Sequence, residues 1–175
     1  MTASDLLLLG IVLFVLIEFT AGMVINYLNE RSKNQPLSAE GAEIFNPEEY
    51  AKSMAYGTAK YRLEMLTTLV STAVILAAIA LGWFAWLDDQ LRDRVTNNLL
   101  ITVLFGAIVA VVGTLANIPA GYYSTFVIEE KFGFNKSTKK LFFQDAIKQL
   151  IISLALGLVL LYAVAWIYQE LQSQF

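Results

Sequence analysis

The 175-residue sequence contains no histidine, no cysteine and only 3 prolines. Without histidine the usual ligand sets for catalytic zinc are incomplete, and hydrolytic Ser or Cys nucleophiles lack their customary base. Without cysteine there are no disulfides, no thiolate chemistry and no palmitoylation on cysteine. Charge is sparse as well. Asp, Glu, Lys and Arg make up 15% of the chain, with a net charge of -3, and they cluster between long apolar runs. No G-x-S-x-G elbow, Walker loop or dinucleotide fingerprint occurs, and basic residues are interleaved with acidic ones, so no nucleic-acid partner is expected. Asp5, Asp88, Asp89, Asp93 and Asp145 all lie at the ends of apolar runs, which excludes an intramembrane aspartyl pair.

What the chain has in excess is apolar surface: 57% of its residues are hydrophobic, against roughly 45–50% in soluble domains. A spanning helix needs about 20 predominantly apolar residues. Four segments qualify, near residues 6–28, 63–87, 99–123 and 146–168. Because backbone polar groups in lipid must be satisfied internally, these segments predict an all-α polytopic protein with about four transmembrane helices. Residues 1–175 are expected to form a single membrane domain with the lipid bilayer as partner. No Lys or Arg precedes the first run, and Thr20-Ala21-Gly22-Met23 is a poor cleavage site, so that run is expected to remain as a span.

The distribution of Lys and Arg gives an orientation. Arg31, Lys33, Lys52, Lys60, Arg62, Lys131, Lys136, Lys139, Lys140 and Lys148 flank the first and third connections, while the second holds only Arg92 and Arg94. The positive-inside rule therefore predicts cytoplasmic first and third connections and extracytoplasmic termini. Trp83, Trp86 and Trp166 then fall at the outer interface. Some helices should outgrow the bilayer on the cytoplasmic side. Asn46-Pro47-Glu48-Glu49 reads as a helix start, with Asn46 capping and two carboxylates at the positive dipole end. The first half of that connection, including Gln35-Pro36-Leu37-Ser38, reads as irregular. A helix from Pro47 to Leu87 would be roughly 60 Å long, with Gly57 as the place for a bend. Asn135 or Ser137 is expected to cap the last helix, with Asp145 and Lys148 paired on one face.

Three features stand out as candidates. Gly106, Ala110, Gly113, Asn117 and Gly121 recur at steps of three or four, a stripe suited to close helix packing in lipid, with Asn117 seeking a partner in the bundle. Glu18 lies well inside an apolar run, where a carboxylate either pairs with another helix or handles protons or ions. The segment from Phe126 to Lys136 mixes aromatics with Glu129, Glu130 and Lys131. It should either dip its rings into headgroups or dock another domain. Glu129 and Glu130, being adjacent, would not converge on one substrate atom.

Two stretches carry a family resemblance. One is Glu48-Glu49-Tyr50-Ala51-Lys52-Ser53-Met54-Ala55-Tyr56-Gly57, continuing through Lys60, Tyr61 and Arg62. The other is Pro119, then Tyr123 through Thr138, then Leu141-Phe142-Phe143 and Asp145. They resemble the N-terminal membrane domain of the CAAX prenyl protease 1 type of integral membrane zinc metalloprotease. The resemblance implies a zinc-bearing H-E-x-x-H helix in the complete architecture, which this sequence lacks. No catalytic residue, metal ligand or cofactor is therefore expected in this chain, which is predicted to be inactive alone. It would be a membrane domain separated from its catalytic half, found in the bacterial cytoplasmic membrane or the eukaryotic endoplasmic reticulum. The expected function is a scaffold supplying chamber walls and a docking loop (Phe126, Glu129, Glu130, Lys131, Phe132, Phe134, Asn135 and Lys136) for a catalytic domain, in cis or as a separate chain. The alternatives are a standalone multi-pass protein for partner binding or assembly, and a small transporter or proton channel using Glu18.

Overall fold

A computed structural model describes residues 2–33 and 46–173. The irregular stretch expected at Gln35-Pro36-Leu37-Ser38 lies outside the described residues, and all secondary structure among those residues is helical. Helix α1 spans Ala3–Lys33. It opens on a reciprocal cap in which the Asp5 N–H donates to Thr2 Oγ1 at 3.2 Å and the Thr2 N–H donates to Asp5 Oδ2 at 2.7 Å.

Helix α2, Pro47–Ala80, starts where its sequence requires. The Glu48 N–H donates to Asn46 Oδ1 at 3.0 Å, with Pro47 in the first helical position. At about 1.5 Å per residue its 34 residues exceed the roughly 30 Å of hydrocarbon. The helix does not continue to Leu87. Gly82 has φ +71°, a left-handed conformation open to glycine, and its N–H closes the end of α2 by donating to Ile79 O at 3.1 Å. Gly57, the expected bend, lies inside the continuous helix. Beyond Gly82 runs a short helix, α3, Trp83–Arg92, in which the Arg92 guanidinium donates to Asp88 Oδ2 at 2.6 Å.

Helix α4, Asn98–Tyr123, is capped by Asn97, whose Oδ1 accepts from the Leu100 N–H at 3.0 Å. It continues into a π-helical stretch, Ser124–Glu129, and a last α-turn, Glu130–Phe132. Helix α5 spans Lys139–Ser173. Its cap is Thr138 rather than the expected Asn135 or Ser137, because the helix begins at Lys139, one residue later than a Ser137 cap and three later than an Asn135 cap would place it. Thr138 Oγ1 accepts from the Leu141 N–H at 3.2 Å, while the Asn135 amide donates to Glu130 Oε2 at 2.7 Å.

The protein is an all-α, multi-pass membrane protein. Among the described residues, Asp5–Ser32, Pro47–Ala80, Asn98–Phe132 and Lys139–Leu171 are long and apolar enough to cross a bilayer. Its apolar side chains mostly face outward. The buried ones among the described residues are Leu87, Ile101 and Ile128, whereas Phe14, Ile17, Leu69, Leu156 and Val159 are more than half exposed. Lipid as apolar as leucine makes such exposure cost nothing, so packing and polar contacts hold the helices together. The residues cluster into two compact units, Met1–Ala77 with Tyr123–Asn135, and Ala78–Tyr122 with Lys136–Phe175.

Candidate functional site

Polar chemistry in the first unit gathers on the half of α2 that precedes its apolar stretch. Two hydrogen bonds tie α1 to this half: the Thr58 hydroxyl donates to Glu30 Oε1 at 2.6 Å, and the Asn26 amide donates to Glu64 Oε1 at 3.1 Å. Between the same helices lies a polar cavity of about 450 Å³, lined in part by Asn29, Tyr56, Lys60 and Glu64.

Tyr56 and Lys60 stand four residues apart and so share a face of α2. The Lys60 ammonium lies 5.7 Å from the Tyr56 ring centroid. It donates to Glu129 Oε1 at 2.9 Å and to the Ser124 hydroxyl. Ser124 and Glu129 reach one ammonium because of the π-helix. In an α-helix residues five apart are rotated about 140° from each other, whereas i to i+5 bonding brings them toward one face. Pro119 precedes this stretch inside α4.

The loop that follows closes against the same face. Gly133, at φ +73°, ends the last turn. Its N–H donates to Glu130 O at 3.0 Å and the Phe134 N–H to Glu129 O at 2.8 Å, the paired bonds of a Schellman terminus. This turn sets Phe132 and Phe134 edge-on to Tyr56, at centroid distances of 5.7 and 4.9 Å. The Lys52 ammonium lies 5.1 Å from the Phe134 ring. The aromatic loop thus has a partner within the chain. Phe134 remains 44% exposed, so much of its ring is still available. Phe126 is half-buried, Glu130 and Lys131 are exposed, and Asn135 is held by Glu130. Lys136, in the second unit, is exposed.

The small-residue stripe divides. A Cβ built on Gly106 would lie 2.5 Å from Leu161 Cδ2, and one on Gly121 would lie 3.5 Å from Phe142 Cζ, so both glycines face α5. Ala110, Gly113 and Asn117 are exposed, and the Asn117 amide donates to Gly113 O of its own helix at 2.8 Å. Glu18 lies at the middle of α1, exposed, with no hydrogen bond or ion pair to a described residue. Sequence reasoning placed Glu129 in the loop but missed its junction with Lys60. The available signal was the four-residue spacing of Tyr56 and Lys60, and the π-turn that completes the site has no periodic signature.

These features define a multi-pass membrane domain with a helix longer than the hydrocarbon is thick and a clamped aromatic loop. The family described as CAAX prenyl protease N-terminal, five membrane helices, matches residues 25–175, and the chain belongs to it. It is 33% identical over 135 residues to the CAAX prenyl protease 1 homolog of Arabidopsis thaliana, covering 73% of this chain and 32% of that protein. It is 29% identical over 138 residues to CAAX prenyl protease 1 of Saccharomyces cerevisiae, covering 73% and 30%. The crystal structure of S. mikatae Ste24p superposes with a TM-score of 0.77 at 27% identity, covering 93% of this chain and 40% of that one. The chain thus spans about a third of the length of the curated relatives it matches. The family description counts five membrane helices; among the described residues four are long enough to span, α3 having only 10 residues. The donor set does not fit the zinc centre that the resemblance implies. The sequence has no His or Cys, and among the described residues no three Asp or Glu come together as a metal group.

Proposed function

We propose that this chain is the membrane scaffold of a CAAX prenyl protease-like zinc metalloendopeptidase, forming chamber walls and presenting a docking loop to a catalytic domain in cis or on a separate chain. The observation that carries this reading is the clamp of the loop onto α2 through Tyr56, Lys60 and Glu129, which fixes the exposed half of Phe134. A prefixed ring loses less conformational freedom on binding than a mobile one, which favours its use as an anchor. The Lys and Arg distribution supports a cytoplasmic place for this loop and extracytoplasmic termini.

The test is co-purification in mild detergent with a separately expressed catalytic half of a relative, with peptide cleavage as second readout. Phe134→Glu should weaken capture about tenfold or more while helical content stays unchanged, and Phe134→Leu should retain capture. Equal capture by Phe134→Glu and the original chain would remove this ring from the docking surface.

A further inference from the structure

A groove on the first unit joins an apolar floor to a rim of two cations that make no ion pair with a described residue. It has a volume of about 400 Å³ and is lined by Leu63, Leu66, Val127, Ile128, Arg62 and Lys131, among others. Arg62 immediately precedes the apolar stretch of α2, and Lys131 stands at the end of the helical run Asn98–Phe132. Arg62 therefore sits where an apolar run begins, a position in which long basic side chains extend toward phosphate, and Lys131 lines the same groove.

Their charge state of pairing distinguishes them from neighbours. Lys60 is matched by Glu129 at 2.9 Å. Arg62 and Lys131 make no ion pair with a described residue, and Lys131 meets only the Phe132 ring, at 5.6 Å. Glu129 is engaged by Lys60 and Glu130 by Asn135. The exposed Tyr123 on the same groove adds a hydroxyl donor.

We infer that this groove binds an anionic phospholipid, with Arg62 and Lys131 on its phosphate and an acyl chain along Leu63, Leu66 and Val127. Charge complementarity selects this occupant. Two cations without an acidic partner among the described residues attract an anion, the apolar floor suits a chain, and a lipid at the interface supplies both in one molecule. The guanidinium can grip phosphate through two parallel hydrogen bonds, while the ammonium acts as a point charge.

The experiment is native mass spectrometry of the full chain in mild detergent, titrated with phosphatidylglycerol or with phosphatidylcholine of identical acyl chains. Phosphatidylglycerol should be retained about tenfold more tightly or better. Arg62→Gln with Lys131→Gln should abolish that preference while leaving phosphatidylcholine binding and helical content unchanged. Inorganic phosphate at equal concentration should not displace the lipid. Equal binding of the two lipids, or an intact preference in the double variant, would overturn the assignment. Displacement by inorganic phosphate alone would show an ion site without the acyl floor, also overturning it.

Discussion

At the scale of single residues, Lys60 changes meaning between sequence and structure. In the sequence it is one of many basic residues that set topology; in the fold it is the hub joining α2 to Ser124 and Glu129. The junction is partly open to solvent, with the two charged side chains 37% and 25% exposed. It should therefore contribute about 1–2 kcal/mol, between an exposed pair and a fully desolvated charged hydrogen bond. Lys60→Met should raise the rate of trypsin cleavage after Lys136 by roughly 5- to 30-fold, since cleavage under native conditions follows local opening. Glu129→Gln keeps an acceptor and should have the smaller effect. Unchanged cleavage in Lys60→Met, timed by mass spectrometry, would mean that the loop is held by its aromatic contacts alone. The Tyr56–Lys60 half of this site was legible from helical spacing. The Ser124–Glu129 half was not, because α-helical geometry would have turned those residues away from each other.

At the scale of elements, glycines decide where helices stop and how closely they approach. Gly133 holds the Schellman terminus that aims Phe134 at Tyr56. Gly133→Ala must adopt a left-handed backbone at a cost of about 1–2 kcal/mol, and a lower unfolding temperature in detergent should follow. The stripe in α4, which looks uniform in sequence, offers a contrast. Gly106→Ala meets Leu161 at 2.5 Å and should destabilise unless that flexible leucine turns aside. Gly113→Ala meets nothing within 4 Å and should be neutral or stabilising by up to about 1 kcal/mol through helix propensity. Denaturation in mixed detergent micelles measures both, and equal effects would mean the two glycines share one environment. Periodicity marked all five positions of the stripe. It could not say which of them meet α5, because that depends on where another helix lies.

At the scale of the whole molecule, length and hydropathy made the four spans legible, and caps such as Asn46 located α2's start to the residue. The end of α2 was less legible, since Gly82 sits within continuous apolar sequence and only its backbone conformation reveals the break. Orientation rests on a different property, the concentration of Lys and Arg beside the first and third connections. Because the chain contains no cysteine, single cysteines provide a clean test without a background to remove. Ser53 lies in the projecting half of α2, Thr96 between α3 and α4, and Ser137 just before α5. None of the three side chains is buried. In intact cells an impermeant maleimide should label Thr96→Cys, whereas Ser53→Cys and Ser137→Cys should react only after permeabilisation. Reversal of the two classes would invert the orientation and place the clamped loop outside the cytoplasm. Labelling of all three from one side would go further: neither α2 nor α4 could then cross the bilayer, contradicting four full spans.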